Sequence, residues 1–261
     1  MKLNQVLSIV NQVEKSKFIT SLDKLCLDAA KNNKKLAKTI ENIDGQIKNA
    51  SGSEITQLYF AVKAFFKVAV KEQILMNSAQ INLLVNILSR DGNCVARISW
   101  IESLYVKEWN ALQLLAKGLQ AEIKGNDSLS LNDRTRALAI YHACMTEAYV
   151  NDKRINRDSK VTDDERGILN VLGVQLGLTT DECAAIEHLV DAIPKDGVLE
   201  ALNILRDMGV VFISKKRQEV FIPDEIVELL NDIQGKDLAD KHRLRLLRTF
   251  SDAELSNVLK A

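Results

Sequence analysis

The side chains with the most chemistry in reserve are three histidines and four cysteines, and their spacing arranges none of it. His142, His188 and His242 stand apart. His142 and Cys144 are two positions apart on a helical stretch, so they point in different directions and share neither a metal nor a proton. Cys26, Cys94, Cys144 and Cys183 contain no Cys-x-x-Cys pair, which argues against a disulfide framework or a zinc knuckle and reads as reduced core thiols. No glycine-rich phosphate loop, Gly-x-Ser-x-Gly elbow or His-Glu-x-x-His helix occurs. The expectation is a protein that is not an enzyme and uses no cofactor.

Binding chemistry is better represented. Lys215-Lys216-Arg217 form a short basic run between two apolar stretches, and Lys241, Arg243, Arg245 and Arg248 follow near the carboxy terminus. Lysine and arginine in such runs contact phosphate oxygens. Residues 195–261 nevertheless hold 11 basic and 12 acidic side chains, so any phosphate-binding patch is local. The whole chain balances 35 basic against 35 acidic residues, which encodes no global attraction to nucleic acid or membrane. Residues 1–124 carry 17 basic and 11 acidic groups and residues 125–194 carry 7 and 12, an opposition that suits modules attracting one another or different partners.

The elements that position these groups are mostly helical. Only Pro194 and Pro223 interrupt 261 residues, leaving 193 without the strongest helix breaker. Leu3, Val6, Val10 and Val13, then Phe18, Leu22, Leu25 and Cys26, keep the three-and-four spacing of one apolar face, as do Leu36, Ile40, Ile43 and Ile47. Ile55, Leu58, Val62, Phe65 and Ala69 predict a further core stripe, with Lys63, Lys67 and Lys71 on a solvated face. A short helix over 77–90 and a long one over 95–124 follow, the latter burying Trp100 and Trp109. Gly125-Asn126-Asp127-Ser128 reads as a linker. Thr162-Asp163-Asp164-Glu165 and Thr179-Thr180-Asp181-Glu182 are capping boxes, with Gly177 as the glycine stop between them, and together they predict a helical hairpin. Ser251 and Glu254 form a third box. No segment reaches the roughly 18 apolar residues of a membrane span, and residues 1–5 lack the apolar core of a secretion signal, so a cytoplasmic protein is expected.

Ala148-Tyr149, Asp158-Ser159-Lys160-Val161-Thr162-Asp163-Asp164-Glu165, Leu169, Leu172 and Leu176-Gly177-Leu178 resemble the tellurite-resistance TerB-like family over about residues 129–193. Ser159 and Val161 stand where that family has glycine and isoleucine, and residues 151–157 are an insertion. The resemblance implies a helical domain and a divalent-metal site at Asp158, Asp163 and Glu165. Carboxylates in a helix's first turn are also explained by capping and the helix dipole, so both readings stand at this stage.

After Pro194 the pattern changes to a helix over 196–208 ending at Gly209, strands over 210–213 and 219–223, and a helix over 224–233. Leu205-Arg206-Asp207-Met208-Gly209-Val210-Val211 and Ile222-Pro223-Asp224-Glu225-Ile226 resemble the second half of a winged-helix domain. Leu246 to Leu255 resembles the opening helices of a SAP-type motif. The fold expected is mainly α, a helical bundle with TerB-like helices and a small C-terminal winged-helix module bearing a two-stranded wing. Its domains are 1–124, 129–193 and 195–261. The function expected is that of an adaptor in a bacterial stress-response or antiphage system. It binds a partner protein, with DNA as a second partner through Lys215, Lys216, Arg217, Arg243, Arg245 and Arg248, and its oligomeric state is left open. The alternative is a divalent-metal-responsive module.

Overall fold

A computed structural model describes residues 1–31, 34, 50–76, 79–91, 95–124, 133–155 and 161–234. These form ten helices and one small antiparallel sheet: α1 (Leu3–Ile9), α2 (Gln12–Ala30), α3 (Gly52–Met76), α4 (Ala79–Asp91), β1 (Val95–Arg97), α5 (Ile98–Lys124), α6 (Asp133–Ile155), α7 (Asp163–Gln175), α8 (Thr180–Val190), α9 (Val198–Asp207), β2 (Phe212–Ser214), β3 (Glu219–Phe221) and α10 (Asp224–Ile233). The chain is therefore mainly helical, as its periodicity predicts. No helix among the described residues is long and apolar enough to cross a membrane.

Two units form, neither continuous in sequence. One comprises residues 1–68, 85–98 and 205–261, the other 69–84 and 99–204, so the boundaries fall inside α3, α4 and α9 and at the start of α5.

In the first unit Phe18 is the centre of an aromatic cluster. Its ring centroid lies 6.3 Å from Tyr59, 6.3 Å from Phe66 and 5.2 Å from Phe212, and all four side chains are buried. Tilted and edge-on rings at these separations add to the stabilisation from burying their area. Gly209, at φ +77°, ends α9 against this cluster; a Cβ there would stand 3.2 Å from the Phe18 ring. The sheet has the order β1-β3-β2, with Val95, Ala96 and Arg97 opposite Phe221, Val220 and Glu219, and Phe212, Ile213 and Ser214 opposite the same three. The hairpin expected from sequence is present. It is joined by a third strand at 95–97, where a helix starting at Val95 is predicted; α5 starts at Ile98 instead.

The second unit packs α6 against α7 and α8 around Leu138, Tyr141, Met145, Tyr149, Leu169, Ala185 and Ile186, with Ala116 and Leu119 of α5 in the same core. Both predicted capping boxes form: Thr162 Oγ1 accepts from the Glu165 N–H and Thr179 Oγ1 from the Glu182 N–H, while each glutamate accepts from its threonine's N–H. Gly177 has φ +66°, the left-handed stop the sequence predicts.

Three expected core residues lie elsewhere. Val13 is exposed because the first helix breaks at Val10, and Asn11 Oδ1 accepts from the Glu14 N–H to start α2 on a new phase. Phe65 is exposed while Tyr59 and Phe66, one position off the predicted stripe, are buried. Trp100 is exposed; Trp109 is half-buried, donates to the Ile193 carbonyl at 2.8 Å, and meets the His188 ring edge-on at 5.9 Å. The stripe at 36–47, the linker at 125–128 and the third capping box lie outside the described residues.

Candidate functional site

The basic run Lys215-Lys216-Arg217 occupies the turn between β2 and β3, and all three side chains are exposed. Local bonds fix the shape of this turn. The Arg217 N–H donates to Ser214 Oγ at 3.4 Å, and Gln218 Nε2 donates to the Lys215 carbonyl at 2.7 Å, with Gln218 at φ +53°. The Gln218 carbonyl in turn accepts from the Ile98 N–H at 2.9 Å, which ties the end of β1 to the turn. Arg97, exposed and opposite Glu219 in the register, is thereby placed beside the basic turn. Among the described residues, none of Arg97, Lys215, Lys216 and Arg217 takes part in an ion pair. Four cations thus gather at one end of the sheet.

Sequence reasoning missed Arg97 because it falls in a stretch that reads as helix. Its strand partner is more than a hundred residues away, and no local signal announces such a pairing. Arg243, Arg245 and Arg248, the other expected phosphate contacts, lie outside the described residues, as does His242.

Helix α9 offers little for reading bases. Glu200, Asn203 and Asp207 are exposed, as expected, but Arg206 is turned in, with Nη1 3.9 Å from Glu14 Oε1 and Nε 3.4 Å from Asp207 Oδ1. Glu14 is itself buried, and its Oε2 accepts from the Ile213 N–H at 3.0 Å. The one basic side chain expected to face outward on this helix therefore holds α2 and β2 together. What remains exposed is Glu200 and Asp207, which repel phosphates, and the single amide Asn203.

The acidic positions are used differently. Glu165 Oε2 accepts from the Thr162 N–H at 3.1 Å and from Thr162 Oγ1 at 2.8 Å, so that carboxylate is committed to its cap. Asp163 starts α7, and Asp158 lies outside the described residues. Among the described residues no group of three or more histidine, cysteine, aspartate or glutamate side chains could hold a metal ion.

A polar cluster that the sequence does not announce lies inside the second unit. Arg166 Nη1 is 2.6 Å from Glu187 Oε1, which also accepts from the Tyr149 hydroxyl at 2.7 Å, and both charged side chains are almost wholly buried. Burial, reinforced by the neighbouring Glu187 carboxylate, pushes the Tyr149 phenol well above its usual range, so it serves as a donor. Glu182 combines its cap with an ion pair to Arg134. Arg166 Nε alone in this cluster is buried without a hydrogen-bond partner. No protein-family model, curated protein or solved structure matches this chain.

Proposed function

We propose that this chain is an adaptor rather than an enzyme, holding a partner protein while its sheet end touches duplex DNA through phosphates. The observation that carries the reading is the gathering of Arg97, Lys215, Lys216 and Arg217 at one end of a small sheet, none of them in an ion pair among the described residues although Glu219 lies opposite Arg97. Unpaired cations on a shaped turn bind phosphate oxygens without sequence information. The exposed face of α9 supports the same limit, because Glu200 and Asp207 on it repel phosphates and leave Asn203 as its one neutral polar side chain among Glu200, Asn203 and Asp207. Service in a bacterial stress-response or antiphage system, with TerB-like helices beside a winged-helix-like hairpin, is the setting that the sequence resemblances imply.

Fluorescence anisotropy with labelled duplexes of unrelated sequence tests the reading. Binding is expected at low salt with affinities that agree across sequences, and replacing Lys215, Lys216 and Arg217 together by Ala weakens it equally for all of them. Failure of the wild-type chain to bind, or full retention by the triple variant, contradicts it.

A further inference from the structure

The four cations at the end of the sheet have one carboxylate among them, and the strand register fixes where it stands. Glu219 lies opposite Arg97 on one side and opposite Ser214 on the other. The Ile98 N–H donates to the Gln218 carbonyl at 2.9 Å, so these two form a hydrogen-bonded pair at the end of the β1–β3 ladder. Arg97 and Glu219, one step along, are therefore a non-hydrogen-bonded pair. In such a pair both side chains leave the same face of the sheet, with Cβ atoms about 4.5–5.5 Å apart. On the other side the Ile213 N–H turns outward to Glu14 Oε2, which makes Ser214 and Glu219 the wider, hydrogen-bonded pair. Ser214 Oγ is already taken by the Arg217 N–H at 3.4 Å.

Glu219 is half-buried at the root of the turn that carries Lys215, Lys216 and Arg217. Among the described residues its carboxylate forms no ion pair and accepts no hydrogen bond. A carboxylate placed between cations without contact to any of them lowers the positive potential around it and ties down none of them. A phosphate oxygen bound by Arg97 comes onto the same rung of the sheet. It then stands across from an uncompensated negative charge.

We propose that Glu219 sets the affinity of the sheet end for duplex DNA by repelling the phosphate that Arg97 binds, which keeps the contact weak and readily reversed. This rests on the phosphate-binding reading and names the residue that tunes it. Anisotropy titrations of a labelled duplex against the full chain and its variants test it. A charge pair across an exposed rung is worth a modest amount, so Glu219→Gln tightens binding about two- to fivefold. The slope of affinity against salt stays as it was, because no phosphate contact is added. Glu219→Lys adds a contact and steepens the slope by about 0.9. In the R97A background E219Q has no effect, since the phosphate that the carboxylate repels is no longer held there. Glu228→Gln removes an exposed acid of α10 and leaves binding unchanged.

Melting followed by circular dichroism on the same variants reads any structural role, and E219Q is expected to stay within about 2 °C of the wild type. A lower melting temperature with unaltered affinity overturns the proposal, because Glu219 then only quiets repulsion among the cations. So does an equal gain from E219Q in the R97A background, or a gain of the same size from E228Q. A steeper slope in E219Q also contradicts it, since Glu219 would then mask a cation rather than repel a phosphate. Duplex binding by the wild type that E219Q does not alter removes only the role of Glu219. Absence of duplex binding in both removes the phosphate-binding reading as well.

Discussion

Replacing Glu187 by Leu exposes how the second unit is held together. Glu187 Oε1 receives both Arg166 Nη1 and the Tyr149 hydroxyl, at 2.6 and 2.7 Å, inside a core from which water is excluded. The substitution leaves the buried Arg166 guanidinium without its ion-pair partner, which costs about 3–5 kcal/mol, because the desolvation of the surviving charge is no longer offset by a contact pair. Tyr149→Phe removes a single hydrogen bond to a charged acceptor and costs about 1.5–3 kcal/mol. The double variant R166M/E187L removes both charges and fills the space with apolar atoms, so it is less destabilised than E187L alone. For a chain of this size about 1 kcal/mol moves the melting temperature by roughly 2–4 °C, so E187L lowers it by roughly 6–20 °C. Melting followed by circular dichroism reads these differences. A loss below about 1 kcal/mol for E187L, or strictly additive effects of E187L and R166M, would refute the claim that the pair is buried and mutually dependent.

Two further outcomes concern backbone and pH. Gly209→Ala is more damaging than Gly177→Ala in chemical denaturation: both sites have positive φ, but only at Gly209 does the new Cβ meet the Phe18 and Phe66 rings, whereas at Gly177 nothing lies within 4 Å. At Gly177 the cost is that of the left-handed backbone alone, about 1 kcal/mol. His142 and His188 have folded-state pKa values held below the usual imidazole value, in both cases chiefly by burial; Lys124 adds to the effect at His142 and Asp191 opposes it at His188. A lowered histidine favours the folded state fully above the unfolded value of about 6.5 and loses that contribution as pH falls. The melting temperature therefore drops between about pH 7.5 and about pH 5.5, and H142Q/H188Q flattens the drop. A profile unchanged by the double variant assigns the pH dependence elsewhere.

Local signals were legible and distant pairings were not. Thr162 with Glu165 and Thr179 with Glu182 announce two helix starts because each cap is complete within four residues, and Gly177 announces the stop between them. Asn11 is hidden in the sequence because the apolar spacing runs through it from Val6 to Val13, yet its cap resets the helical phase and turns Val13 outward. On α3, both Phe65 and Phe66 fit a three-and-four pattern, and which one enters the core is decided by Phe18, a contact outside any local window. Val95-Ala96-Arg97 is too short to read as a strand, and its pairing with Glu219 to Phe221 depends on residues more than a hundred positions away. Glu14, Arg166 and Glu187 carry no sequence signal of burial, because each finds its buried partner only after folding.

The salt dependence of duplex binding tests the central claim, that exposed surface cations rather than an internal pocket meet the nucleic acid. With four phosphate contacts, from Arg97, Lys215, Lys216 and Arg217, the logarithm of the affinity falls against the logarithm of salt with a slope of about −3.6. R97A alone brings it to about −2.7 and the Lys215, Lys216 and Arg217 triple alanine variant to about −0.9. Slopes identical in wild type and both variants would contradict the account.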